Sequence, residues 1–294
     1  MGETTGIAWC DHTFNPWRGC TKVSAGCEHC YAETLSKRNP EVLGSWGPAG
    51  SRSIGSESYW RQPEKWNRAA ERAGIRRRVF CLSLGDVFED RPELVAPRSR
   101  LFDLISDTPH LDWLLLTKRP ENIIRLADAA APTGFGAPAA NLWMGVSVED
   151  QATADERIPL LLQTPAALRF VSYEPALGPV SFRPWLGTEC THEDAHVEPD
   201  TNAVVCRRCE DADLLDWLIV GGESGPGARP FDVAWARSAQ DQCKAAGVAF
   251  FFKQAGSRVY MTECAEKKHL FLGDRKGGDP NEWPEDLRVR EFPP

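Results

Sequence analysis

Six times along the chain a short, unbroken apolar run ends in a polar motif. Val79-Phe80-Cys81-Leu82-Ser83-Leu84 ends in Gly85-Asp86, and Trp113-Leu114-Leu115-Leu116 in Thr117-Lys118-Arg119-Pro120. Leu142-Trp143-Met144-Gly145-Val146 ends in Ser147-Val148-Glu149, and Leu168-Arg169-Phe170-Val171 in Ser172-Tyr173-Glu174-Pro175. Trp217-Leu218-Ile219-Val220 ends in Gly221-Gly222-Glu223-Ser224-Gly225, and Val248-Ala249-Phe250-Phe251-Phe252 in Lys253-Gln254. Helical stretches across about 92–106, 120–130, 151–162 and 232–246 alternate with these runs. Apolar runs without alternation are strands buried on both faces, as in a parallel sheet. Strands that alternate with helices imply right-handed crossovers. With Ile7-Ala8-Trp9 as a short first strand there are about seven units. The expected fold is α/β, a complete or partial (β/α) barrel of six or seven parallel strands.

The polar motifs sharpen this. In parallel barrels the C-terminal ends of the strands carry the active site. Asp and Gly at such positions also serve as ordinary caps and turns. Taken singly, each motif is as readily a cap as a functional group. Together, Asp86, Lys118, Arg119, Glu149, Glu174, Glu223 and Lys253 point to one site.

The first strand leads into Asn15-Pro16-Trp17-Arg18-Gly19-Cys20-Thr21-Lys22-Val23-Ser24-Ala25-Gly26-Cys27-Glu28-His29-Cys30-Tyr31, with six and then two residues between successive cysteines. Structural zinc takes four ligands and disulfides take pairs, whereas a catalytic iron–sulfur cluster is held by three thiolates with one iron open. Cys20, Cys27 and Cys30 are therefore expected to hold a [4Fe-4S] cluster whose open iron binds a substrate or S-adenosylmethionine. His29 beside Cys30 packs against such a cluster or, in a rival reading, is a fourth ligand. A structural zinc that recruits Cys10 is another rival.

Residues 40–58, rich in Gly, Ser and Pro, read as a long surface loop, and 63–73 as a helix with Pro63 at its start and Gly74 past its end. Arg68, Arg72, Arg76, Arg77 and Arg78 read as a solvated helix face and its exit. A second cluster, Cys190, His192, Cys206 and Cys209, has zinc-knuckle spacing, with His196 an alternative to His192. Its acidic surroundings hold too few apolar residues for a core, so a structural zinc is expected to staple it. The expected domains are a barrel over 1–257, interrupted by a zinc-binding insert at 187–212, and a C-terminal extension over 258–294. Neither a signal peptide nor a membrane-length apolar run is present in these 294 residues, so a cytoplasmic protein is expected, where clustered cysteines bind metal. The net charge of −8 argues against a general nucleic-acid coat protein but leaves room for a local basic surface.

In order along roughly residues 5–257, these motifs resemble the phage Gp37/Gp68 family of radical S-adenosylmethionine-like proteins. The matching stretches are Thr13 to Cys20, Cys30-Tyr31-Ala32-Glu33, Ser83 to Phe88, Leu116 to Pro120, Trp143 to Glu149, Ser172 to Pro175, Gly221 to Gly225 and Phe252 to Gly256. The resemblance implies a radical S-adenosylmethionine barrel that generates a 5′-deoxyadenosyl radical. Its substrate would be a nucleobase, nucleotide or nucleic acid, modified or repaired. It implies that Gly85 and Asp86 meet the methionyl amino group, and that Ser147 and Glu149 contact ribose or carboxylate. Lys118 and Arg119 would hold a carboxylate or phosphate, and Glu174, Glu223 and Lys253 would touch substrate or move protons. An external electron donor and a three-Cys-motif partner protein are the implied partners. The alternative class is a non-catalytic zinc metalloprotein that binds nucleic acid or a protein partner.

Overall fold

The computed structural model describes residues 5–131, 139–187, 196–197, 204–205, 214–263 and 266–294. Seven parallel strands form one sheet: β1 (His12–Phe14), β2 (Arg77–Cys81), β3 (Leu111–Thr117), β4 (Leu142–Val148), β5 (Leu168–Tyr173), β6 (Trp217–Gly221) and β7 (Ala249–Gln254). Their order in the sheet is their order in the chain, with β1 and β7 at its ends. This is the strand order of a (β/α) barrel. The longer helices are α1 (Gln62–Ala73), α2 (Val95–Ser106), α3 (Ile123–Ala130), α4 (Gln151–Leu162) and α5 (Val233–Ala246). Among the described residues no helix is long and apolar enough to cross a membrane.

The chain divides into two compact units, Met1–Ser147 with Thr164–Leu168, and Val148–Gln163 with Arg169–Pro294. In the first, His12 to Phe14 pair in register with Val79 to Cys81, and Arg77 to Cys81 with Leu111 to Leu115. Trp113 to Thr117 then pair with Leu142 to Val146. Phe14, Trp60, Trp66 and Trp113 are buried and meet edge to face, with centroids 5.6–6.4 Å apart around the Phe14 ring. Such pairs add about 0.5–1.5 kcal/mol each beyond the area they bury. Helix α1 stops where Gly74 takes φ +64° and its N–H caps the Ala70 and Glu71 carbonyls.

In the second unit Trp217 to Val220 pair with Phe170 to Tyr173 on one side and with Ala249 to Phe252 on the other. A register shift between Val220 and Gly221 then sets Gly221 opposite Gln254. The Phe252 N–H donates to the Val289 carbonyl and the Glu291 N–H to the Phe250 carbonyl, both at 2.9 Å. The C-terminal segment thus covers the outer edge of β7, which would otherwise present unpaired backbone groups. Val259–Glu263 pairs with Phe231–Asp232 and, antiparallel, with Glu266–Leu270.

Some local expectations are corrected. The first strand is His12–Phe14, not Ile7-Ala8-Trp9. Its shortness hides it, because His12 and Thr13 are half-buried and Phe14 alone enters the core. Strand β2 ends at Cys81, because Leu82 takes φ +63° and turns the chain into the Gly85-Asp86 loop. Residues 40–58 are not one loop: they include the helical turn Pro40–Leu43 and the strand Ser53–Ile54, which pairs with Trp17–Arg18. Cys190, His192, Cys206 and Cys209 lie outside the described residues. Between them His196–Val197 pairs antiparallel with Val204–Val205.

Candidate functional site

In the first unit the cysteine loop is fastened to the loop after β2. Asn15 accepts the Leu84 N–H at 2.8 Å, the Gly19 N–H donates to the Leu84 carbonyl at 2.9 Å, and the Tyr31 hydroxyl donates to the Ser83 carbonyl at 2.8 Å. Gly19 takes φ +106°, and a Cβ there would meet the Ser51 carbonyl at 2.7 Å. Only glycine fits before Cys20 at so close an approach.

A buried set of charges lies against this loop. Asp86 accepts from the Thr117 hydroxyl at 2.7 Å, the Phe88 N–H at 2.9 Å and Arg119 Nη1 at 2.8 Å. Arg119 also donates through Nη2 to the Thr21 carbonyl at 2.5 Å, and its Nη1 lies 3.7 Å from Cys20 Sγ. Arg52 forms a bidentate pair with Glu89, both contacts at 2.6 Å, and reaches the Thr21 hydroxyl at 3.0 Å. Thr21 is therefore held by its carbonyl and its hydroxyl at once, and with it the neighbouring Cys20. Arg98 of α2 donates to the Val87 and Glu89 carbonyls and fixes the far side of the same loop.

Burial, reinforced by Asp86, pushes the Cys20 thiol up to about 12. Burial lowers the Arg119 guanidinium, but Asp86 and Cys20 outweigh it and the net movement is upward. Burial also raises Cys30, which feels the neighbouring Cys27 and, in the opposite sense, the Lys118 cation. Burial alone would raise Glu89, yet its bonds to Arg52 and Thr21 hold it below the usual range. Cys20, Cys27 and Cys30 are all free thiols and partly accessible. In donor chemistry that set fits an iron–sulfur cluster. Among the described residues no group of three or more His, Cys, Asp or Glu side chains stands assembled as a metal site. Cys10 is buried, raised to about 11 by burial, and its Sγ lies 3.8 Å from the Ile7 carbonyl.

In the second unit three strand ends carry ion pairs. Glu149, fully buried, meets Arg157 Nη1 of α4 at 3.0 Å. Glu223 accepts from the Arg229 backbone N–H and side chain at 2.6–3.0 Å. Lys253 Nζ lies 2.6 and 2.7 Å from the two Glu174 oxygens, and about a fifth of each side chain is exposed. Gly221 lies against Glu174, where a Cβ would stand 3.3 Å from Oε1. Glu174 and Lys253 are thus the most solvent-accessible of these three pairs.

The structure brings Cys20, Asp86 and Arg119 into contact, puts Lys118 in the field of Cys30, and joins Glu174 to Lys253. Arg119, Glu149 and Glu223, read from the sequence as cofactor or substrate contacts, spend their charges on internal partners. Ser147 is buried at the end of β4 and His29 is half-buried in the cysteine loop. Sequence reasoning missed Arg52, Glu89, Arg157 and Arg229. Arg157 carried a signal, a charge between the apolar positions Ala154, Ile158 and Leu161 on one helix face. Arg52 carried none, since it lies in a Gly/Ser-rich stretch.

In overall structure the chain is similar to a spore photoproduct lyase variant with bound AdoMet and dinucleoside spore photoproduct. That match has 11% identity, covers 88% of this chain and 59% of that one, and has a TM-score of 0.45. It is also similar to a variant with dinucleoside spore photoproduct, at 13% identity, 93% and 71% coverage and a TM-score of 0.48. The lyase complexed with dinucleoside spore photoproduct matches at 12% identity, 93% and 72% coverage and a TM-score of 0.46. At these identities and scores none of the three assigns a residue or a reaction. No curated protein matches the chain. A family model matches residues 4–278, and the chain belongs to that family, described as a protein of unknown function (DUF5131).

Proposed function

We propose that this chain is a radical S-adenosylmethionine enzyme in which Cys20, Cys27 and Cys30 hold a [4Fe-4S] cluster, and that its substrate is a nucleobase, nucleotide or nucleic acid. The observation that carries the reading is a loop with three free thiols, one of them braced by buried arginines through Thr21. When bound, such a cluster delivers an electron to S-adenosylmethionine and so a 5′-deoxyadenosyl radical, chemistry that belongs to the cofactor. The chain supplies the rest. Arg52 and Arg119 orient Thr21 and thereby Cys20, and the Arg119 N–H faces the sulfur that must lose its proton. Lys118 favours the thiolate of Cys30 in the same way. Ligation displaces the thiol protons and gathers the three sulfurs, so site formation and binding are one step.

Gly85 and Ser147 remain the proposed contacts for S-adenosylmethionine. The Glu174–Lys253 pair, about a fifth exposed, is the proposed proton carrier at the substrate. An external donor supplies the electron, and a three-Cys-motif protein is the proposed partner. Zinc at Cys190, His192, Cys206 and Cys209 stays a proposal from spacing alone. The test is anaerobic reconstitution with iron and sulfide, followed by reduction with S-adenosylmethionine present. The reading expects 5′-deoxyadenosine. A reducible cluster that never cleaves S-adenosylmethionine contradicts it, and zinc in place of iron favours the non-catalytic metalloprotein.

A further inference from the structure

Far along the chain from the cysteine loop, the antiparallel pair Val259–Glu263 and Glu266–Leu270 carries an unusual surface. Tyr260 and His269 are cross-strand partners whose rings meet edge to face at 5.1 Å. His269 in turn meets Phe271 at 4.3 Å, and Phe271 is 86% exposed. At the other end of the row the Arg258 guanidinium sits 5.7 Å from the Tyr260 ring. Three rings and a cation thus line up on one side of the hairpin. An exposed large apolar ring of this kind loses hydrophobic free energy in the isolated chain, so a partner that covers it is stabilising.

The chemistry around the row selects the partner. The Ser257 hydroxyl donates to the Arg275 carbonyl at 2.6 Å and the Gly256 N–H to the Lys276 carbonyl at 3.1 Å. These bonds bring the exposed Arg275 and Lys276 alongside the exposed Arg258. Next to Tyr260 opens a cleft of about 260 Å³ lined by Pro230, Phe231, Asp232 and Trp235 as well as Tyr260. Stacking rings, flanking cations and an aromatic-lined cleft together match the two halves of a single-stranded polynucleotide, flat bases and a charged backbone. A folded acidic protein would use the cations but has no need of a row of exposed rings. A duplex hides its base faces and would use only the cations.

We propose that Arg258, Tyr260, His269 and Phe271 form a stacking platform for single-stranded nucleic acid, with Arg275 and Lys276 on its phosphates. This surface deepens the substrate class proposed above, yet it stands on residues that take no part in the cysteine site. It also reconciles a net charge of −8 with nucleic-acid binding, because attraction is confined to one local surface.

The test is fluorescence anisotropy of the whole chain with labelled oligo-dT and oligo-rU of about 20 nucleotides, long enough to span such a platform. A duplex of equal length and Phe271→Ala and Arg258→Glu/Arg275→Glu variants serve as comparisons. All three substitutions are at exposed positions, so unchanged circular dichroism and melting verify the fold of each variant. The proposal expects a single strand to bind in preference to duplex. Phe271→Ala should weaken binding about tenfold, in keeping with the loss of one base–ring stack. The charge reversal should flatten the dependence of affinity on salt, and the two oligonucleotides tell DNA from RNA. Absence of binding by either strand at low salt overturns the proposal. So does wild-type affinity in both variants, or equal affinity for duplex. A chain that binds the strand through Phe271 but takes up no iron upholds the platform and sinks the cluster reading. One that assembles the cluster but ignores both oligonucleotides does the reverse.

Discussion

Arg52 shows how much a single residue does here. Its side chain is fully buried and its guanidinium is divided between the Glu89 carboxylate, the Thr21 hydroxyl and the Ser45 and Gly50 carbonyls. Removal of one member of a buried ion pair leaves the other charge without compensation, at a cost of about 3–5 kcal/mol. Arg52→Met should therefore destabilise the chain by that amount in urea unfolding, and Glu89→Leu added to it should recover much of the loss. Gly19 makes a second residue-scale test. At φ +106°, with the Ser51 carbonyl 2.7 Å from a new Cβ, Gly19→Ala should cost about 1–3 kcal/mol. The same melt should show little change for Gly6→Ala, where nothing lies within 4 Å of the added carbon. Neither effect was legible in the sequence. Arg52 sits among serines and glycines that read as loop, and its partner Glu89 lies thirty-seven residues away along the chain.

At the scale of elements the sequence was most informative where burial was complete. The apolar run at Trp217 to Val220 lies inside β6, buried at every position, and the 151–162 helical stretch coincides with α4. The shortest strand of the seven-stranded sheet escaped notice because three residues with one inward ring make no periodic signal. That strand is pinned by Asp11, whose carboxylate accepts the Arg78 N–H at 2.8 Å and Arg77 Nη1 at 3.1 Å. Burial alone would raise Asp11, but the Arg78 and Arg77 contacts outweigh it and hold it below the usual carboxylate value. The sign follows from linkage: a group depressed on folding binds fewer protons in the native state than in the unfolded one. Its stabilisation is present above the unfolded pKa and is lost as pH falls through the folded one. Asp11→Asn should therefore lower stability at neutral pH and flatten the acid limb of a stability-against-pH curve. An acid limb unchanged in the variant would refute the assignment.

For the whole molecule, six of the seven parallel strands and the polar groups after them followed from hydrophobic run lengths and motif order. What those groups do was less legible. Asp86 and Arg119 were both singled out, but their mutual ion pair depends on the juxtaposition of the ends of β2 and β3, which no local pattern records. Glu149 and Glu223 similarly find Arg157 and Arg229, so charges that looked free for a ligand hold loops in place. Glu174 and Lys253 keep some exposure and retain the role read for them as a proposal. The cysteine loop stays at the centre of the functional reading. Its most direct test is iron, sulfide and zinc analysis of the anaerobically purified, reconstituted chain beside its Cys20→Ala, Cys27→Ala and Cys30→Ala variants. The account predicts about four irons and four sulfides per wild-type chain, a reducible cluster, and loss of most of that iron in each variant. Equal iron in wild type and all three variants, or zinc alone in the wild type, would contradict it.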